Sequence, residues 1–101
     1  MSYAIVIPAR YDSKRLPGKA LKNIKGKPMI QRVHEAALKS QASEIIVATD
    51  SEKIKQACDQ FGAKCLMTNE QHRSGTDRVN EIAEILNWPN DQIIVNLQGD
   101  N

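Results

Sequence analysis

Four short apolar runs, 3–8, 44–49, 63–67 and 92–97, set the terms on which this chain folds. Three of them hold unbroken aliphatic stretches (AIVI, IIVA, IIV) rather than alternating apolar and polar residues. A strand with one wet face alternates; an unbroken run implies cover on both faces, the condition of a parallel sheet. Between the runs, apolar side chains recur at helical spacing. Met29, Ile30, Val33, Ala37 and Leu38 follow Pro28, a residue suited to the first helical position. Ile54, Ala57, Cys58 and Phe61 follow Thr49-Asp50-Ser51-Glu52, which reads as a capping box with Asp50 in a capping role. Gly62 is placed to stop that helix. A third stripe, Val79, Ile82, Ala83 and Leu86, starts after a cap at Ser74 or Thr76 and ends in a turn at Trp88-Pro89-Asn90. The resulting order, β–loop–α–β–α–β–α–β, predicts an open α/β sheet with right-handed crossovers.

A chain of 101 residues can bury one modest core. With 41% hydrophobic residues but only Tyr3, Tyr11, Phe61 and Trp88 as aromatics, that core is aliphatic, and disorder and collagen-like repeats are excluded. No apolar run approaches the ~20 residues that span a bilayer. The opening MSYAIVIPAR has neither a basic flank nor a small-residue cleavage site, so it reads as a buried strand and not a signal peptide. Cys58 and Cys65 match no metal-ligand spacing and no dense disulfide framework; both are expected as buried thiols in a reducing cytoplasm.

The net charge of +2 hides an asymmetry. Residues 1–39 carry nine Lys and Arg against Asp12 and Glu35, a net of +7, whereas residues 40–101 carry five basic and ten acidic groups, a net of −5. Residues 10–27 alone hold seven basic side chains and one acid. A partner with several negative charges is implied near this loop, while the total charge is too small for a general nucleic-acid binder.

Sheets of this type bind ligands beyond the carboxyl ends of their strands, at a reversal of strand order. Residues 8–27, 49–52, 68–76 and 98–101 are the segments expected there, and three chemistry-bearing stretches lie at the first, third and fourth of these. In the first, Arg10, Arg15 and Lys19 can clamp a polyphosphate, with Ser13 and the Gly18 backbone as neutral donors. It contains neither GxxxxGK[ST] nor GxGxxG. In the second, His72-Arg73-Ser74-Gly75-Thr76-Asp77-Arg78 offers hydroxyls, amides and Arg73 to the edge of a nucleobase; it reads equally as a capped helix entry with a salt bridge. His72 has no second metal ligand at helical spacing, which speaks against zinc. In the third, Gln98-Gly99-Asp100, the carboxylate suits Mg²⁺, which takes few protein carboxylates and fills its shell with phosphate oxygens and water; capping of a turn is the plainer alternative.

In order along the chain, IPARYDSKRLPGKAL, VATDSEKI, HRSGTDR and NLQGD resemble the 3-deoxy-manno-octulosonate cytidylyltransferases, or CMP-Kdo synthetases, over essentially the whole length. Sialic-acid cytidylyltransferases are similar in the first loop but usually carry a glycine-containing stretch at Tyr11-Asp12 and lack the H-x-S-G-T-D-R form. The resemblance implies a Rossmann-like, mainly parallel sheet of the nucleotide-diphospho-sugar transferase type. Residues 1–101 would be the N-terminal CTP-binding part of one larger domain. It further implies a cytoplasmic, Mg²⁺-dependent enzyme supplying an activated sugar acid (Kdo) for lipopolysaccharide, with no nucleic-acid or membrane partner. By matching position, Arg10, Ser13, Arg15 and Lys19 would hold the CTP phosphates, with Arg10 and Lys19 catalytic. Pro8, Ala9, Arg73, Ser74 and Gln98 would line the cytosine pocket, and Asp100 would bind Mg²⁺. Asn101 stands where the family usually has Glu followed by Pro. Because the family is about twice this length or more, the second metal carboxylate, the sugar-acid pocket and a homodimer surface are expected outside these residues. The fragment alone is expected to be inactive. A non-catalytic nucleotide-binding module, or a cytidylyltransferase for another sugar acid such as a sialic acid, is the competing reading.

Overall fold

The computed structural model describes residues 3–9, 21, 23–24, 26–68 and 75–97. Its elements are β1 (Tyr3–Ala9), β2 (Asn23–Ile24), β3 (Lys27–Pro28), α1 (Met29–Leu38), β4 (Glu44–Thr49), α2 (Glu52–Phe61), β5 (Cys65–Met67), α3 (Gly75–Ile85) and β6 (Ile93–Asn96). Strands β5, β4, β1 and β6 lie side by side in that order, every pair parallel. The open parallel sheet expected from the unbroken apolar runs is therefore present.

The two-residue period of β1 explains why its run is apolar throughout. Ile5, Ile7 and Ala9 pack with Val47, Cys65 and the inner faces of α1 and α2 (Ile30, Ala37, Ile54, Cys58). Val6, with Ile46 and Ala48 of β4, packs on the other side against Val79 and Ile82 of α3. Each fully buried aliphatic side chain of this kind contributes about 1.5–3 kcal/mol. Helices α1 and α2 thus cover one face and α3 the other. Chain growth runs outward from β1 to β4 and β5, then returns to the opposite side of β1 as β6, so strand order reverses between β1 and β6.

Several local expectations need correction. Residues 23–24 and 27–28 form the β2–β3 hairpin where loop was expected as far as residue 27, with Asn23 opposite Pro28 and Gly26 at φ +88 in the turn, a conformation open to glycine. Pro28 accordingly precedes α1 at ψ 149 rather than opening it. The cap of α2 is Ser51, whose hydroxyl accepts the Ile54 N–H at 3.3 Å; the expected box starting at Thr49 is displaced because Thr49 is still strand, its hydroxyl accepting the Ser51 N–H. Gly62, left-handed at φ +81, ends α2 as expected. Thr76 lies inside α3 and is not its cap, while Ser74 lies outside the described residues. The turn after α3 centres on Asn87 at φ 54, with the Trp88 N–H donated to the Ala83 carbonyl, a Schellman closure that seats Trp88 against the α3-side core. Leu38, counted in the α1 stripe, is exposed, and buried His34 takes its place.

The largest departure is β6. Ile94 packs on the α3 side, but Ile93 and Val95, opposite Tyr3 and Ile5, are 44% and 41% exposed. Its run is apolar on both faces, yet β6 is an edge of the sheet among the described residues. Cys58 and Cys65 are both buried and free, as expected. The Cys58 thiol, hydrogen-bonded to Cys65 and desolvated, is held well above the usual thiol range. No helix among the described residues is long and apolar enough to cross a membrane.

Buried His34, its ring 5.5 Å from that of Phe61, has its pKa pushed below 6.5 by desolvation, opposed by Glu35. Because the unfolded chain binds the proton more readily, this histidine's contribution is full above 6.5 and is lost as pH falls through the depressed folded value. Glu35, lowered by a hydrogen bond from Lys27, contributes fully above its ordinary 4.5 and loses that contribution as pH falls below it, whereas the loss at His34 begins already below 6.5. Urea unfolding of the complete protein is expected to show stability that starts to fall as pH drops below 6.5. That slope is expected to flatten in His34→Gln; an unchanged slope would assign it elsewhere.

Candidate nucleotide-binding edge

The carboxyl ends of β1, β4 and β5 come together by register. Ala9 sits opposite Thr49, and Thr49 opposite Met67. The Thr68 N–H continues that ladder to the Thr49 carbonyl at 2.8 Å. On the other side of β1, the last ladder bond runs from the Leu97 N–H to the Val6 carbonyl at 3.0 Å. In a parallel sheet alternate residues face alternate neighbours, so the next β1 residue turned towards β6 is Pro8, which has no N–H to give. Among the described residues the β1–β6 ladder thus ends at the Leu97–Val6 bond, at the point where strand order reverses, which is where sheets of this type bind ligands.

Pro8 and Ala9 are both buried at the end of β1. They are the only two of the sequence-predicted site residues that the described residues include. Arg10, Ser13, Arg15, Lys19, Arg73, Ser74, Gln98 and Asp100 lie outside them. In sequence, Arg10 follows Ala9 and Gln98 follows Leu97. Among the described residues no cluster of three or more His, Cys, Asp or Glu side chains could hold a metal.

Sequence reasoning missed a charged cluster at this edge. Arg78, in the first turn of α3, is 1% exposed. Its guanidinium donates to Thr68 Oγ1 and, at 3.3 Å, to Asp50 Oδ2. Asp50 is thus an ion-pair partner rather than a helix cap, since Ser51 already fills that place. Asp50 and Arg78 are 28 positions apart, so no spacing rule joins them. The available signal was a lone aspartate at a strand end, together with an arginine on the apolar side of a helix.

A parallel sheet covered by helices on both faces, with its strand order reversing between β1 and β6, places the chain in the doubly wound α/β class, whose members bind ligands at that reversal. The chain belongs to the cytidylyltransferase family, whose model matches residues 4–101. It is 54% identical over 100 residues to a 3-deoxy-manno-octulosonate cytidylyltransferase of Coxiella burnetii, covering 99% of this chain and 40% of that protein. The Haemophilus influenzae protein of the same name is also 54% identical, with 99% and 39% covered. Among solved structures, a CMP:2-keto-3-deoxy-manno-octonic acid synthetase complexed with CTP superposes with a TM-score of 0.88 at 51% identity, over 97% of this chain and 40% of that one. A cytidylyltransferase from Leptospira borgpetersenii gives 0.78 at 25% identity, over 99% and 42%. The chain therefore spans about 40% of the length of the curated relatives it matches.

Proposed function

We propose that this chain is the CTP-binding part of an enzyme that transfers CMP from CTP to 3-deoxy-D-manno-octulosonate (Kdo), with release of pyrophosphate. The observation that carries this reading is 54% identity, across 99% of the chain, to proteins of that name. The reversal of strand order between β1 and β6, the usual ligand position in such sheets, is consistent with it. An anomeric hydroxyl of the sugar acid would attack the α-phosphorus of CTP; an O–P bond forms, the bond to the β-phosphate oxygen breaks, and the hydroxyl proton is released. Such a transfer depends on positioning and charge neutralisation more than on a covalent nucleophile.

In this reading Arg10, Ser13, Arg15 and Lys19 hold the triphosphate, and Arg10 and Lys19 offset charge growing on the departing pyrophosphate. Pro8, Ala9, Arg73, Ser74 and Gln98 surround the cytosine. Asp100 is a hard oxygen donor, the kind Mg²⁺ takes, whereas the carboxylate of Asp50 is already engaged by Arg78. When bound, Mg²⁺ supplies charge neutralisation at phosphate oxygens. The second metal carboxylate, the sugar-acid pocket and a dimer surface would come from sequence outside these residues. The bare edge of β6, with Ile93 and Val95 exposed, supports a sheet that continues in the longer protein. The product would be a nucleotide-activated sugar acid for lipopolysaccharide, made in the cytoplasm. Kdo-dependent release of pyrophosphate from CTP by the complete protein tests the reading.

A further inference from the structure

Arg78 is among the largest fully buried side chains, and the nucleotide reading gives it no task. Its two partners are informative. Thr68 is the residue that follows β5, and Arg78 itself lies in the first turn of α3, so the pair brackets in sequence the segment 69–77, which carries Arg73 and Ser74. Asp50, the other partner, follows Thr49, and Thr49 is in register with Ala9 at the end of β1. One guanidinium therefore ties both ends of that segment to the tip of β4.

We propose that Arg78 is a positioning residue for nucleotide binding: it pins the ends of segment 69–77 against the Asp50 end of β4. The proposal rests on the nucleotide reading above. Stability alone is a poor reason for a buried ion pair, because well-packed apolar residues serve as well or better. A planar fork of donors reaches two acceptors in fixed geometry, which a lysine ammonium, a single point charge, does not reproduce.

The test uses the complete protein with Arg78→Lys, and with Thr68→Val, which retains the Arg78–Asp50 pair if the first variant fails to fold. The measurements are kcat, KM for CTP and for Kdo, and amide hydrogen exchange. KM for CTP is expected to rise about tenfold to a hundredfold, the scale of a small misplacement of binding groups. KM for Kdo is expected to hold, and faster exchange to be confined to segment 69–77. An unchanged KM for CTP, or equal losses for both substrates, would overturn the positioning role. Unchanged exchange in 69–77 would overturn the pinning, whatever substrate the enzyme takes. A wild-type protein that does not turn over CTP would instead sink the nucleotide reading, with the exchange result still reporting on the pin.

Discussion

Replacing Lys19 by Ala in the complete protein is expected to lower kcat by about 10²–10³, the usual cost of removing one preorganised donor from developing charge. The loss follows from the reaction proposed. Pyrophosphate gains negative charge as the α-phosphorus bond breaks, and a compact ammonium aimed at it acts more strongly in the transition state than in bound CTP. KM for CTP should therefore change less than kcat. Stopped-turnover pyrophosphate assays at saturating CTP separate the two; a kcat within about twofold of wild type would remove Lys19 from the transition state.

The second large effect is on stability. Asp50→Ala leaves the guanidinium of Arg78 buried without its carboxylate, at 1% exposure. Breaking a buried pair from one side costs about 3–5 kcal/mol, most of it the desolvation of the charge left behind. The pair Lys64–Glu44 is closer, at 3.0 Å, but lies on the surface, with side-chain exposures of 55% and 34%. Lys64→Ala should cost no more than about 1 kcal/mol. Urea unfolding of both variants of the complete protein checks the ordering. Equal midpoints would mean that water or another anion replaces Asp50.

Much of this fold was legible because burial leaves a local trace. A strand covered on both faces must be apolar at every position, and Ile5, Val6 and Ile7 are; a helix packed on one side repeats its apolar residues at three and four, and Ile54 and Cys58 do. Gly62 at the end of α2 was equally visible because few other residues accept its φ of +81. What escaped depends on partners distant in sequence. The β2–β3 hairpin is two residues a side, too short for any periodicity. β6 has an interior strand's composition but an edge strand's exposure, and its composition speaks to a larger sheet than the described residues form.

The candidate site divides the same way. The basic residues after β1 and the carboxylate after β6 were conspicuous in the sequence because they directly follow unbroken apolar runs. Pro8 was expected in the cytosine pocket by resemblance alone; what the register shows is that it follows the last described bond of the β1–β6 ladder. Asp50 and Arg78 were each visible, but their pairing exists only once α3 lies across the ends of β4 and β5.

The most direct measurement is pyrophosphate release by the complete protein given Mg²⁺, CTP and Kdo, with Kdo omitted, ATP or GTP in place of CTP, and a sialic acid in place of Kdo. Release is expected only when CTP and Kdo are present together. Release with a sialic acid and none with Kdo would contradict the substrate, and no CTP-dependent release with either acid would contradict the proposed transfer itself.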